Sequence, residues 1–539
     1  MPDVIFPPDL NPVSPENVEL VDDATQVFAP SFARGMTQRV SFGDPRWKIT
    51  RKYSAARAED KARLMTVMLG ARGRLNTVRT VPGYVQRGSF PSQELLVNTN
   101  FSAGSVNGQG QFIPTGWNSE STFGVVAKDR ILRSLRLMSG STAFFCIADI
   151  INTVTAFAPY VARFFVRLGS GYDSTTFQFR IDDYSVLAGT QQAFKSMATQ
   201  VLVPRTTSVR PGIAQLAPVT MIADGHDYID VSWASLTRCA LADTGVNLIP
   251  FSDTFSDASW VKVNASIGVN VTTGPDGTTT ADSLIEDATA AVQHFIQTPN
   301  ITVSSSTGFE YTATAYVKAN TRTWCHLALV EFTGPSQAGA SFNLSAGTIG
   351  TVVNGTNMVN CRAAITSLGN GWYKISVTAR KSNAATVMQP HLYLATGDNT
   401  FNYDGNGVNS IYIWRCGFSQ SSQPSVPNQT TGSADTTGSS FRAGYLPVKG
   451  LPASAFGTLL AGDYVEINGE LKRLNAAVHA DANGNAVLHF RPQLVNAPAD
   501  NDPVIIGFPM GRFLISGMKW DAQWGLQEDV SLLLDEVYE

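Results

Sequence analysis

Apolar and polar residues alternate over short stretches along most of this chain, a pattern typical of half-buried β-strands. Residues 163–167 (RFFVR) and 177–180 (FQFR) are two such stretches, and Gly, Asp and Ser residues separate them from their neighbours. One segment has helical spacing instead. Its face is formed by Ala58, Lys61, Ala62, Met65 and Leu69, with Ser54 as a capping residue and Gly70 and Gly73 at its end. The pattern therefore predicts a mainly β protein with one helix near the N-terminus.

Two long β-stretches, 93–245 and 246–425, carry similar landmarks. Each opens with a short apolar strand followed by a Phe and a Trp, which are Phe101 and Trp117 in the first and Phe255 and Trp260 in the second. Each closes with an alternating strand that carries a Trp and then a Cys, namely Trp233 with Cys239 and Trp414 with Cys416. We therefore predict two similar β-modules in tandem, related by duplication.

The residue pattern changes twice after the second module. Residues 426–440 are rich in Ser, Thr, Gly and Pro without periodicity, which predicts a linker. From residue 441 to residue 539 the β-pattern returns, and the strongest hairpin signal of the chain, Asn468-Gly469, lies there.

Composition limits the classes of function. A chain of 539 residues is long enough for three or four domains. Its net charge of −4 gives no global electrostatic case for nucleic acid, and its apolar runs are too short for membrane insertion. Residues 1–20 are acidic and rich in Pro, so we expect no signal peptide there. Five widely spaced cysteines without a Cys-x-x-Cys pair predict buried reduced thiols rather than disulfides or a zinc site.

A series of short elements runs through the second module. In order they are Trp260, Pro275-Asp276-Gly277, Thr280-Ala281-Asp282, Tyr311 to Lys318, Gly369 to Tyr373 and Ile411 to Trp414. In combination they resemble the carbohydrate-binding-like jelly-roll module that recurs in bacteriophage tail proteins. The resemblance implies that both modules are jelly-roll β-sandwiches and that host-surface glycan is a partner.

The two ends of the chain carry a second set of elements. The N-terminal set is Gly43 to Trp47, the predicted helix and Leu69 to Asn76, and the C-terminal set is Gly462 to Tyr464, Asp481 to Pro492 and Arg512 to Trp520. They resemble the opening and the closing of distal tail or minor tail proteins of long-tailed, siphovirus-like phages. The resemblance implies that residues 1–92 and 441–539 are two halves of one β-rich tail-ring domain. An insertion of modules between such halves is tolerated, because the entropy of loop closure rises slowly with length.

The same resemblance implies an assembly and a location. The split domain would form a ring of identical chains, with a hexamer favoured over a trimer, at the distal end of the tail in the virion. Its neighbours would be the tail tube and tail hub proteins. Arg72 and Arg74, which flank Gly73, are candidates for contacts between subunits, and a solvated turn is the alternative for this segment.

Catalytic chemistry has little support in the sequence. The chain has no nucleophile elbow, phosphate-binding loop, dinucleotide fingerprint or zinc-protease motif, and its six histidines show no metal-ligand spacing. We therefore expect no enzyme, no catalytic residue and no cofactor. Asp182-Asp183 or Glu286-Asp287 would serve a glycan depolymerase only if they formed a pair across a cleft, yet adjacent residues of a strand point to opposite faces. A depolymerase and a bacterial glycan-binding adhesin are the alternatives to a tail protein.

Aromatic residues are the better candidates for function, because flat rings stack on the apolar faces of sugars. The candidate glycan-binding residues are Trp260, Trp324, Tyr393 and Tyr403, and core packing is the alternative for each. Trp372 and Trp414 lie in alternating strands and are expected in the core. The polar loop from Asp398 to Asn406 could bind a structural Ca²⁺, with a solvated turn as the alternative.

Overall fold

This computed structural model describes most of the second half of the chain and shorter pieces of the first half. The described residues are 228–332, 336–436, 438, 444–453, 457–523 and 527–537, together with 4–5, 17–21, 25–28, 38–41, 46–53, 78–80, 95, 104–106, 112–115, 117–119, 127–128, 135–138, 145–148, 152–168, 177–182, 197–204 and 207–215. They form strands, turns and irregular segments without a helix, so the predicted β-class is confirmed. The predicted helix, with Arg72 and Arg74 just beyond it, lies outside the described residues.

One six-stranded sheet combines strands from both ends of the chain. In spatial order its strands are Val4–Ile5, Val78–Thr80, Gly511–Gln523, Gln527–Glu536, Arg46–Tyr53 and Asn17–Val21. Ile49 lies opposite Leu534, and Val78 lies opposite Phe513. The two ends of the sequence therefore fold together, with the rest of the chain between them.

A closed six-stranded barrel lies next to this sheet. Its strands are Ala240–Ala242, Tyr445–Lys449, Ala486–Arg491, Glu470–Leu474, Tyr464–Ile467 and Pro503–Ile505. Trp47 of the sheet connects the two units, because its indole Nε1 donates to the carbonyl oxygen of Leu471 at 2.9 Å and its ring packs edge-on against Tyr464. Residues 441–539, predicted as one half-domain, thus contribute strands to both the barrel and the terminal sheet.

The predicted hairpin of the barrel is confirmed. The strands Tyr464–Ile467 and Glu470–Leu474 pair antiparallel around Asn468 and Gly469, whose φ angles are 49° and 77°. Two consecutive positive φ angles define the tight turn that matches the twist of a two-stranded ribbon, and Asn-Gly is the pair that tolerates them best.

The first module contains two antiparallel sheets. One comprises Ala127–Lys128, Leu135–Met138, Tyr228–Arg238, Tyr160–Leu168 and Met197–Leu202. The other comprises Asn152–Thr153, Ser208–Gln215, Phe145–Ala148, Trp117–Ser119 and Phe177–Asp182. Two further ribbons pair Thr25–Phe28 with Gln38–Ser41 and Gly104–Val106 with Phe112–Pro114.

The second module is a β-sandwich with a continuous core. Its first sheet comprises Val261–Val263, Phe295–Gln297, Ile301–Thr302, Val387–Ala395, Trp324–Glu331, Ser336–Asn343 and Thr348–Val353. Its second sheet comprises Ala265–Thr272, Ala281–Glu286, Ser410–Ser419, Glu310–Ala319, Trp372–Lys381 and Met358–Gly369. Val292–Gln293 and Asn402–Tyr403 form a short separate pair. Leu327 and Leu392 of the first sheet share a buried cluster with Val317 and Ile375 of the second, so the two inner faces form one core.

The second module begins and ends at a single point. Asn247 and Asp435 exchange both backbone hydrogen bonds, at 2.9 and 2.8 Å. Residues 426–436 differ from the linker predicted there, since Thr430 is buried and its hydroxyl donates to the carbonyl oxygen of Ile249 at 2.6 Å. Asn428 likewise donates its backbone N–H to Gly245. This polar segment satisfies its hydrogen bonds on the module instead of in water.

Candidate functional site

The strand Trp324–Glu331 has two chemically different faces. Cys325, Leu327 and Leu329 belong to the sandwich core, whereas His326, Ala328 and Val330 alternate with them and point to the opposite side of the sheet. The register places His326 opposite both Tyr393 and Ser341. Ring-bearing side chains of neighbouring strands therefore gather on the outer surface of this sheet.

We call this cluster the aromatic face, and it consists of Phe295, His326, His391, Tyr393 and Phe401. The centroid distances are 4.6 Å for Phe295–Tyr393, 5.2 Å for Phe295–His391, 4.6 Å for His326–Phe401 and 5.1 Å for Tyr393–Phe401. Four of these residues come from the sheet, and Phe401 comes from the loop that follows the strand Val387–Ala395. The loop thus covers one part of the face with its own ring.

Polar atoms within the aromatic face have partners. His391 Nδ1 lies 2.9 Å from the hydroxyl of Tyr393, and His326 Nδ1 lies 3.0 Å from the hydroxyl of Ser341. Beside them, the Gln389 amide donates to Asn300 Oδ1 at 2.9 Å. Such a network fixes the rings in one arrangement, because each buried polar group would otherwise lack a hydrogen bond.

Trp324 is the first residue of the strand Trp324–Glu331, on the same side of the sheet as the aromatic face, and is only partly buried. Gly350 of the edge strand separates it from Asp398, since a Cβ at Gly350 would lie 2.9 Å from Trp324 Cζ3 and 2.3 Å from Asp398 Oδ1. The Asp398 carboxylate accepts two hydrogen bonds from Thr351, one from the backbone N–H at 2.7 Å and one from the side-chain hydroxyl at 2.8 Å. We call Trp324, Thr351 and Asp398 the rim, where an accessible ring lies beside fixed hydrogen-bonding groups.

Tyr403 belongs to a charged network at the other end of the loop. Its hydroxyl donates to Glu286 at 2.9 Å, and the Arg322 guanidinium lies 4.7 Å from its ring centroid. Arg322 also donates two hydrogen bonds of 2.8 Å to the two Glu286 oxygens. Burial raises the pKa of Glu286, but the hydrogen bonds from Arg322, Tyr403 and the Asn406 backbone outweigh it and lower that pKa overall. Tyr403 therefore anchors the loop, with its hydroxyl already engaged.

The four predicted glycan-binding aromatic residues differ in how accessible their rings are. Trp260 is 3% exposed, packs edge-on against Phe255 in the core and donates its Nε1 to the carbonyl oxygen of Phe251. Its ring faces are covered, so the prediction of a stacking platform at Trp260 is corrected to a core role. Tyr393 is likewise 3% exposed and packs against Phe295 and Phe401 in the aromatic face, so its ring is not accessible for stacking either. Trp324 and Tyr403 are partly accessible, and glycan binding by them stays a prediction.

Trp414 was expected in the core and lies outside it. Ile413 and Cys416 both belong to the core, although an alternating strand would place them on opposite faces. The ladder shifts here, because Ala315 pairs with Cys416 while Val317 pairs with Ile413. Trp414 follows the core residues Ile411 and Ile413 in the alternation and precedes the shift, so it points to the outer surface, where the Arg415 guanidinium lies 4.4 Å from its ring centroid. The β-bulge then returns Cys416 to the core. Alternation places Ile411 and Ile413 on one face and Trp414 on the other without showing which face is buried, so the core prediction for Trp414 was wrong.

The carboxylate pair considered for hydrolysis is not arranged as an acid and a base. Glu286 is buried with both oxygens bonded, whereas the Asp287 side chain is 45% exposed and accepts the backbone N–H of Thr289, which lowers its pKa. The side chains of Asp182 and Asp183 lie outside the described residues.

The described residues also bear on the predicted metal and thiol chemistry. No group of three metal-ligating side chains occurs among the described residues, and Asp404 of the candidate Ca²⁺ loop accepts the backbone N–H of Ala291 at 2.7 Å. Cys239, Cys325, Cys361 and Cys416 are free thiols, and burial raises the pKa of each. Within the described ranges, no helix is long and apolar enough to cross a membrane.

Comparisons with known proteins include a distant likeness to a solved structure. No protein-family model matches the chain, and no curated protein matches its sequence. Among solved structures, the chain is similar to the N-terminal CBM22-1–CBM22-2 tandem domain of Xyn10C from Paenibacillus barcinonensis, with 11% identity and a TM-score of 0.22. The match covers 62% of this chain and 99% of that one. A TM-score this low does not establish a shared fold.

The histidines of the aromatic face make a pH-dependent contribution to stability. Burial lowers the pKa of His326 and of His391 to about 4. An unfolded histidine titrates near ~6.5, so the unfolded chain binds more protons between these two values. The contribution of these two histidines to the free energy of unfolding is therefore fully present above pH ~6.5. It is lost as the pH falls toward 4, by up to about 1.4 kcal/mol per pH unit for each residue. Urea denaturation at a series of pH values measures this loss.

A matched pair of variants isolates the effect. His391→Gln should reduce the fall in stability between pH 6.5 and 4 by about half, because His326 still contributes, whereas Val261→Ala, at an exposed position without an ionisable group, should leave the fall unchanged. An acid-induced loss as steep in His391→Gln as in the wild type would contradict the assignment.

Proposed function

We propose that this protein is a structural component of the distal end of a phage tail and that its second module holds a host-surface glycan. The terminal sheet, built from both ends of the chain, would form a ring of identical subunits. The module would project from that ring and contact the cell during adsorption.

The observation that carries the proposal is the insertion geometry. Residues 48–53 pair with residues 530–535, and residues 78–80 pair with residues 511–513, so strands from the two ends of the chain form one sheet and residues 81–510 are inserted between them. The second module leaves and rejoins the chain at the Asn247–Asp435 pair, where the two Cα atoms of such a hydrogen-bonded pair lie about 5.5 Å apart. This arrangement lets a binding module vary without changing the unit that assembles. It supports the organisation that the resemblance to distal tail proteins implies.

The rim is the surface we assign to glycan. Trp324 offers a partly accessible ring, and Thr351 and Asp398 place a hydroxyl and a carboxylate beside it. Stacking on one ring with a few hydrogen bonds gives weak binding for a single site. Six copies around a ring would raise the avidity through effective concentration, without any additional contact at each site.

Excision of the module tests the proposal. Residues 248–434 can be replaced by Asn-Gly, because Asn247 and Asp435 are already in the geometry of a hairpin that a two-residue turn closes. We expect the full chain to bind bacterial surface polysaccharides on a glycan array and the excised chain to lose that binding while it stays folded. Equal binding by both chains would remove the module from the glycan-binding role.

Two tryptophan variants locate the surface within the module. Trp324→Ala at the rim should weaken array binding at least ten-fold, because a stacked ring contributes on the order of 1.5 kcal/mol. Trp414→Ala, a partly exposed tryptophan on the opposite sheet, is the control and should bind as the wild type does. Loss of binding in the control alone would assign the glycan to the sheet with the bulge.

A further inference from the structure

A cavity of about 280 Å³ lies where the two modules and the barrel meet. The first module contributes residues 155–158 and Arg238, the barrel region contributes 450–451 and 482–483, and the second module contributes Arg362, Ser376 and Thr378. The volume is just below the ~300–1,000 Å³ typical of ligand pockets, so it suits a small molecule.

Arg238 is a buried cation without a counter-charge among the described residues. It is 8% exposed, its Nε has no hydrogen-bond partner, and its two Nη atoms reach neutral oxygens of Thr155 and Gly450 only at 3.5 and 3.4 Å. By contrast, Arg163 and Lys449 contact carboxylates at 2.7 and 3.0 Å. Burial lowers the pKa of Arg238, as expected for a guanidinium that has lost water without gaining an anion.

The other groups around the cavity also favour a negative ligand. Its described lining contains two arginines and no Asp or Glu. Arg362 is neutralised by Glu310 at 2.8 Å, which leaves Arg238 as the cation without a charge partner. Asn483 presents an amide Nδ2 that is buried and has no acceptor.

We propose that this cavity binds a small oxyanion through the Arg238 guanidinium and the Asn483 amide. Arg238 Nε and Asn483 Nδ2 are donors without acceptors, and a planar guanidinium matches the two oxygens of a carboxylate, sulfate or phosphate group. The apolar part of the lining, Ala156, Ala364 and Leu451, would contact the rest of a ligand no larger than one sugar ring. The site is distinct from the rim and does not depend on the proposed function.

Calorimetric titration of the full chain tests this proposal. The probes are sodium phosphate, sodium sulfate, sodium glucuronate and neutral glucose, each against sodium chloride at equal ionic strength. We expect at least one oxyanion to bind and glucose not to bind. Preference for phosphate or sulfate would identify a free inorganic anion as the ligand, whereas preference for glucuronate would identify an acidic sugar. Binding of none of the oxyanions would overturn the proposal.

Variants connect the binding to the cavity. Arg238→Gln should weaken oxyanion binding at least ten-fold without lowering the melting temperature of the ligand-free protein, because it removes an uncompensated charge. Arg380→Gln, which changes an arginine that donates to the Gly308 carbonyl oxygen outside the cavity, should bind normally. Ala364→Leu keeps every charge and fills the cavity opposite Ser376, so it should also abolish binding. Unchanged affinity in Arg238→Gln, or in Ala364→Leu if the former does not fold, would refute the site.

Discussion

Replacement of Trp260 by alanine is expected to destabilise the second module by about 3–5 kcal/mol, the range for removal of a large buried aromatic side chain. The ring is 3% exposed, packs against Phe255 at a centroid distance of 5.0 Å and donates a hydrogen bond of 2.9 Å to Phe251. Urea denaturation followed by circular dichroism measures the loss.

Val261 provides the matched control, because it follows Trp260 directly and is 44% exposed. Val261→Ala should change stability by less than about 0.5 kcal/mol. A Trp260→Ala protein with wild-type stability and reduced glycan binding would contradict the core assignment and restore the sequence-based prediction of a stacking platform.

Glu466→Gln is expected to destabilise the protein by about 3–5 kcal/mol, because it leaves a buried arginine without its carboxylate. Glu466 of the barrel accepts Arg163 Nη1 of the first module at 2.7 Å and the backbone N–H of Met510 at 2.8 Å. The two side chains are 1% and 3% exposed, so water cannot replace the lost charge. The midpoint of urea denaturation gives the size of the effect.

A double variant separates the charge from the packing. Arg163→Leu with Glu466→Leu removes both charges and should recover much of the stability lost in Glu466→Gln, since an apolar pair of similar volume often replaces a buried ion pair. Glu310→Gln, in the more exposed pair with Arg362, should cost less. A Glu466→Gln protein as stable as the wild type would show that the pair does not hold the first module to the barrel.

Local patterns of the sequence were sufficient for the β-class and for its sharpest turn. The alternation in residues 163–167 and 177–180 predicts two strands, and the structure has them as Tyr160–Leu168 and Phe177–Asp182. Asn468-Gly469 predicts a tight hairpin for a reason confined to two residues, their tolerance of positive φ.

Features that depend on distant pairing could not be predicted in this way. The barrel strand Ala240–Ala242 pairs with residues more than 200 positions away, so its sequence looks like the end of the first module. The β-bulge beside Trp414 shifts the phase of a strand without changing its composition. The segment 426–436 reads as a polar linker, yet its Thr430 side chain satisfies a buried carbonyl group.

In the candidate site, too, the sequence showed local features but not those that depend on distant pairing. Sequence reasoning identified Trp324 and Tyr393 as large rings, and both lie on the side of one sheet that faces away from the sandwich core, but only Trp324 is partly accessible. It did not identify His326 and His391, because a histidine in a strand carries no signal until the register places it beside another ring. It also missed Arg238, because only the three-dimensional structure shows that no carboxylate among the described residues contacts its guanidinium.

The central claim is that the two ends of the chain form a unit that assembles as a ring while the second module is an insertion. Light scattering coupled to size exclusion, applied to the full chain and to the chain with residues 248–434 replaced by Asn-Gly, tests it directly. We predict that both proteins form the same oligomer, with the full chain at six times its mass of 57.9 kDa. A monomer for the full chain, or loss of the oligomer on excision of the module, would contradict the claim.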